Sequence, residues 1–183
     1  MKLEKLADLG LLAYTGTAFR AVNLRYLDTP LSAVGSIKTG GRYNPKGAFE
    51  VLYLAENATT TLVEVEFAAS SGGRFEAQPK DPYVVFSVQF KLQQVLDLHS
   101  PENLERLELL TDDLTQPWRL KQARGKDILT HRIGAKLFEA GHEGFKYPSA
   151  TDGTVNLAVF PANLKAESYL EISWEGRTLA RVS

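Results

Sequence analysis

The sequence predicts a single α+β domain with a largely antiparallel sheet and helices packed around it. Three observations carry this. The chain has 183 residues, 44% of them apolar and 23% charged, the size and balance of one domain with one sizeable core. Strand-like and helix-like segments are mixed without a regular βαβ alternation, which disfavours a parallel sheet. No internal repeat, low-complexity tract or linker divides the chain, so residues 1–183 form one unit.

The elements follow in order. Thr17 to Val22 and Val51 to Ala55 are short, apolar and bounded by turn formers, and Tyr83 to Phe90 is richer in β-branched and aromatic residues; all three read as strands. Asn57 is a suitable N-cap for a helix running to about Ala69, with Ala58, Leu62, Val65 and Ala69 spaced as one buried face and Glu64 off that stripe. Ser70 to Gly73 and onward to Pro82 reads as a surface loop. Pro101 to Leu110 and Asp127 to Ala140 read as helices, the second with Leu129, Ile133 and Leu137 in register and Gly141 placed to end it. Val155 to Phe160 and Tyr169 to Trp174 return to strand.

Bulk properties exclude several classes. A net charge of −1 and a pI near 6.3 leave no electrostatic excess that would draw the molecule to nucleic acid or anionic lipid. The absence of cysteine removes disulfides, zinc ribbons and thiol nucleophiles, and fits a reducing compartment. Met1 to Gly16 is too charged and its apolar run too short for a secretory signal, and no stretch suffices to span a bilayer. A soluble cytoplasmic protein without a membrane partner is expected.

The chemistry concentrates in Gly40-Gly41-Arg42-Tyr43-Asn44-Pro45, then Tyr53, then Glu64. Arg42 offers a planar fork to phosphate oxygens, Tyr53 a ring face to a flat cation, and Glu64 a carboxylate to a developing positive charge. The combination points to NAD chemistry. Each piece also has a plain structural reading: a turn with a solvated arginine, a core tyrosine, a solvated helix glutamate in which Glu64 and Glu66 are interchangeable. Arg20 inside an apolar strand reads equally as one half of a structural ion pair. Ser149, after Tyr147-Pro148, lacks a nucleophile-elbow context and suits hydrogen bonding to a ligand or a turn. His99, His131 and His142 show neither metal spacing nor a triad. Arg119, Lys121, Arg124 and Lys126 form a basic stretch that reads as a solvated loop, with contact to RNA or phosphates as the rival.

Together these segments resemble the RES domain, a family of bacterial toxins. The matching pieces are Phe19-Arg20, Gly40 to Pro45, Leu52 to Glu56, Leu62-Val63-Glu64-Val65, and Tyr147 to Ala150 followed by Asn156-Leu157, in order over about residues 17–161. The resemblance implies an ADP-ribosyltransferase-like fold with a mostly antiparallel split sheet. It also implies NAD+ as substrate with no further cofactor or metal, and cleavage of the nicotinamide–ribose bond by hydrolysis or phosphorolysis, depleting cellular NAD+. Transfer of ADP-ribose to a macromolecule is the alternative, and an RNA-directed toxin a more distant one. The resemblance selects Glu64 over Glu66. It implies catalytic roles for Glu64 and Arg20 and NAD contacts from Arg42, Tyr43, Tyr53, Ser149 and Asn156. Tyr43 stands where the family commonly has tryptophan, and Phe19 where tyrosine is common. The partner implied is an antitoxin with an Xre-type helix-turn-helix domain, with no direct contact to nucleic acid.

Overall fold

The computed structural model describes residues 1–63 and 82–183. Among the described residues seven strands form one sheet: β1 (Leu12–Asn23), β2 (Leu52–Ala55), β3 (Tyr83–Asp97), β4 (Gly144–Pro148), β5 (Val155–Val159), β6 (Tyr169–Trp174) and β7 (Arg177–Val182). Their order is β1-β2-β5-β4-β3-β6-β7, and β1 also pairs along β3, so the first five strands close on themselves while β6 and β7 extend from β3. Among the described strands only β3–β4 is parallel. The helices are α1 (Val34–Thr39), α2 (helical over residues 58–63), α3 (Pro101–Leu107), α4 (Thr111–Thr115), α5 (Trp118–Ala123) and α6 (Leu129–Glu139). The α+β expectation holds. The strands β4 and β7 and the helices α1, α4 and α5 appear in addition to those expected.

Alternation along the strands divides the core in two. Phe145, Tyr147, Ala158 and Phe160 join Tyr43, Leu114, Ile133 and Leu137 on the helix-covered side. Leu157 and Val159 turn the other way, towards Ala18, Leu54, Val88, Phe90 and Leu170. In α6 the expected Leu129, Ile133, Leu137 stripe faces the first cluster, with Ile133 and Leu137 fully buried.

One irregularity shapes the sheet. The β1–β3 register slips between Leu12↔Val95 and Tyr14↔Leu92, which leaves the Gln93 and Gln94 amides outside the ladder. The buried Glu143 carboxylate takes both, at 2.6 and 2.7 Å, and also the Lys165 amide at 2.8 Å. Beyond this bulge β3 pairs with β4. Burial pushes the Glu143 carboxyl up, but the amide donors outweigh it and hold it below the usual glutamate range.

At α2, Asn57 caps the helix as expected, accepting from the Thr60 amide at 2.7 Å. The expected apolar stripe does not hold in the described turn: Leu62 is 44% exposed, whereas Thr60 and Thr61 are buried. The helix start docks through hydroxyls, Thr60 donating to Asp152 at 2.6 Å and Thr61 to the Phe19 carbonyl at 3.3 Å.

Candidate active site

One row of side chains crosses four strands and forms the back of a cleft. Phe19 on β1 faces Ala55 on β2, Ala55 faces Asn156 on β5, and Asn156 faces Tyr147 on β4. All four line a cleft of about 360 Å³, together with Arg20, Arg42, Tyr53, Thr61, Thr151 and the pair Trp118 and Arg119.

Arg20 is among the residues lining the cleft, but alternation puts it in the register of Ala18 and Val22, on the face of β1 opposite to Phe19. Its Nη2 donates to the Ser32 carbonyl at 2.8 Å, while its Nε is buried without a partner. No carboxylate among the described residues pairs with it, so within them the structural ion-pair reading has no counterpart. Burial pushes the guanidinium pKa down to about 10, still cationic at neutral pH. A buried guanidinium nitrogen without a partner is costly unless a group outside the described residues satisfies it.

The Gly40 to Pro45 segment is a tight turn, closed by the Gly41 amide on the Asn44 carbonyl at 2.9 Å. Gly40 has φ +74°, a conformation glycine adopts without steric cost. A Cβ on Gly41 would come within 2.5 Å of the Tyr53 hydroxyl. Tyr53 Oη donates to Asn44 Oδ1 at 2.8 Å and accepts from the Tyr43 amide at 3.0 Å. Asn44 Nδ2 in turn donates to the Ser36 and Phe49 carbonyls. His131 Nε2 lies 2.9 Å from the Gly41 carbonyl oxygen, and α6 packs its Gly134 against the Tyr43 carbonyl, where no Cβ fits. The turn is thus held from three sides. Arg42, which it projects, is not a solvated arginine: its Nη1 donates to the Leu114 and Gln116 carbonyls at 3.0 and 2.9 Å.

Tyr53 is spent at its hydroxyl on the turn, and its ring lines the cleft. Burial raises the phenol well above its ordinary pKa, so it stays protonated and donating. Asn156 also lines the cleft. Two residues expected to touch the ligand are not among those lining the cleft. The Tyr43 ring, 0% exposed, stands edge-on to Phe145 and Tyr147 with centroids 4.7 Å away, so it is a core residue and not a cleft wall. Ser149 is buried in the β4–β5 turn, its Oγ accepting from the Thr151 amide at 3.2 Å and lying 2.9 Å from Thr151 Oγ1. Its neighbours Ala150 and Thr151 line the cleft instead. Glu64, with Glu66 and the rest of the expected helix to Ala69, lies outside the described residues.

Sequence reasoning missed Trp118 and Arg119 as members of this site. Arg119 belongs to the basic stretch read as a loop, and the structure makes Trp118–Ala123 helix α5. Trp118 is buried, its ring centroid 5.7 Å from that of His131, and the Arg119 guanidinium lies over it at 4.6 Å. No local signal marks them, because the contacts that bring α5 to the cleft run from residue 41 to 131 and from 42 to 116.

The site is therefore an arginine-lined cleft on a strand row closed by a rigid glycine turn. The chain belongs to the RES domain family, whose model matches residues 17–179. Among curated proteins it is similar to the NAD(+) phosphorylase MbcT of Mycobacterium bovis and of Mycobacterium tuberculosis, with 33% identity over 117 residues. That stretch covers 62% of this chain and 63% of those relatives. Among solved structures it is similar to the crystal structure of the M. tuberculosis MbcT–MbcA toxin–antitoxin complex, with a TM-score of 0.73 and 24% identity over 94% of this chain and 88% of that one. This likeness places the chain in the same fold.

Among the described residues no helix is long and apolar enough to cross a membrane.

Proposed function

We propose that this chain is a toxin that cleaves the nicotinamide–ribose bond of NAD+ by phosphorolysis, depleting the cytoplasmic NAD+ pool, and is held in check by an antitoxin. The observation that carries this is Arg20, a half-buried arginine whose buried Nε has no partner, lining a cleft that Arg42 and Tyr53 also line. The name of the curated relatives, NAD(+) phosphorylase, supports the choice of phosphate as acceptor. The likeness to a chain from a toxin–antitoxin complex supports the antitoxin, for which an Xre-type helix-turn-helix protein is our assignment.

In this reading Arg20 and Arg42 hold the diphosphate and the Tyr53 ring stacks on the nicotinamide. The C1′–N1 bond breaks with its electron pair going to the pyridinium nitrogen, so nicotinamide leaves neutral and needs no acid. The ribosyl centre gains positive charge, which Glu64 stabilises. An oxygen of hydrogen phosphate then bonds to C1′, giving ADP-ribose 1″-phosphate with the phosphate's proton retained. Asn156 supplies a polar edge to the bound ligand. Tyr43 and Ser149 act from behind the wall, through the turns they stabilise.

The test is nicotinamide release by purified, antitoxin-free protein with and without phosphate, beside Glu64→Gln. Phosphate-dependent release lost in the variant is the expected result. Release independent of phosphate makes the protein a hydrolase, and label from NAD+ appearing in a macromolecule makes it a transferase.

A further inference from the structure

The Gly40 to Pro45 turn sets where Arg42 stands, and one of its peptides has a single anchor. The Gly41 amide donates to the Asn44 carbonyl at 2.9 Å, and the Tyr43 amide donates to the Tyr53 hydroxyl at 3.0 Å. Between them lies the Gly41–Arg42 peptide, whose amide has no partner among the described residues. Its carbonyl oxygen meets His131 Nε2 at 2.9 Å. A peptide is a rigid plane that turns as a unit, and glycine on one side removes the Cβ that would oppose the rotation. Such a rotation changes φ of Arg42 and swings its side chain. Among the described residues the imidazole is the contact that holds this plane. At the far end of the side chain, Arg42 Nη1 is held by the Leu114 and Gln116 carbonyls at 3.0 and 2.9 Å, while Nε and Nη2 have no partner among the described residues. Arg42 is thus fixed at both ends, with part of its fork uncommitted.

His131 is itself well held. It lies half-buried on α6, its ring centroid 5.7 Å from that of the buried Trp118, and three residues on Gly134 packs against the Tyr43 carbonyl. A carbonyl oxygen only accepts, so Nε2 carries the proton. Burial pulls the imidazole pKa below its ordinary value, against the opposing pull of the Gly41 carbonyl, so the neutral ring keeps one proton and this contact uses it. His131 is not among the residues lining the cleft, so it acts through the turn and not on the ligand. We propose that His131 is a positioning residue: its Nε2–H locks the Gly41–Arg42 peptide and so presents Arg42 to the phosphates of the bound dinucleotide. The inference rests on the reading above, in which Arg42 holds the diphosphate.

The test is steady-state kinetics of His131→Phe and His131→Gln, alone and combined with Arg42→Gln, each variant first shown to be folded by circular dichroism. His131→Phe should raise KM for NAD+ about five- to tenfold, the scale of one lost hydrogen bond, and leave kcat within about twofold. His131→Gln should recover part of the loss, because its amide can donate from nearly the position of Nε2. With Arg42→Gln in place, His131→Phe should change KM by less than about twofold. An unchanged KM in folded His131→Phe overturns the proposal. An equal rise in the Arg42→Gln background overturns it too, since that is the mark of a merely structural role. A second readout needs no turnover: the nitrogen NMR shifts of the His131 imidazole should show the Nε2–H tautomer, and the Nδ1–H tautomer refutes the lock. If the intact protein consumes no NAD+, the phosphorylase reading fails by itself, and calorimetric titration with inorganic diphosphate decides for His131. Affinity lowered by His131→Phe and by Arg42→Gln, with no further loss in the double variant, preserves its role. Affinity unmoved by His131→Phe, or none in the intact protein, refutes it.

Discussion

Replacing Tyr53 with phenylalanine removes one oxygen and keeps the ring, so it separates the residue's hold on the turn from its face towards the cleft. That oxygen donates to Asn44 Oδ1 at 2.8 Å and accepts from the Tyr43 amide at 3.0 Å, and both residues are 0% exposed. The variant orphans one buried donor and one buried acceptor, each costing about 1 to 3 kcal/mol. The sum, roughly 2 to 6 kcal/mol, is a large share of the ~5 to 15 kcal/mol that holds an ordinary domain together. For a chain of this length it corresponds to a fall in Tm of roughly 6 to 18 °C. The assay is thermal unfolding followed by circular dichroism, run as a double-mutant cycle with Asn44→Ala. Because Asn44→Ala removes the partner of the same hydroxyl, the double variant should lose less than the two singles summed, by about 1 kcal/mol or more. A Tm within about 2 °C of the parent, or strict additivity in the cycle, would refute the claim that this hydroxyl holds the turn.

Two other outcomes follow from the same structure, and a third from the proposed function. Gly134→Ala should destabilise by about 3 kcal/mol, read from the urea midpoint, because its Cβ has no room against the Tyr43 carbonyl. Glu143→Gln should cost about 1 to 3 kcal/mol by weakening the clamp on the β3 bulge. The folded Glu143 carboxyl lies below its unfolded value of 4.5, so its contribution is present above that pH and lost as pH falls through the folded value. The urea midpoint of the parent should therefore drop more steeply below pH 4.5 than that of Glu143→Gln. Glu64→Gln should keep the parent Tm and lose about a hundredfold or more in NAD+ turnover, the scale of one electrostatic stabiliser; a folded variant with full turnover would free Glu64 from that role.

Where a signal is local, the sequence shows it. The Asn57 cap is found where it was expected, and so is the Leu129, Ile133, Leu137 face of α6, because capping and helical periodicity need only neighbours along the chain. The strands β4 and β7 gave weak signals for opposite reasons. Gly144–Pro148 is short, starts with glycine and ends in proline, while Arg177–Val182 is mostly exposed and its charges hide the alternation. The Tyr53 hydroxyl, the Gly134 approach and the α5 contacts join residues from 9 to 91 positions apart, and helical or strand periodicity marks none of them.

By itself the sequence determined the α+β class, the main strands and helices, and the set of charged and aromatic residues that resembles the RES domain. Those follow from periodicity, capping and residue chemistry, which act over a few residues. Only the tertiary structure decided which of them meet. It turned Tyr43 into the core, folded Ser149 into a turn, left Arg20 without a carboxylate among the described residues, and brought Arg119 to the cleft. The physical reason is that burial and electrostatic partnership are properties of three-dimensional neighbours: an arginine becomes an anion site only when packing removes its water and no carboxylate takes its place.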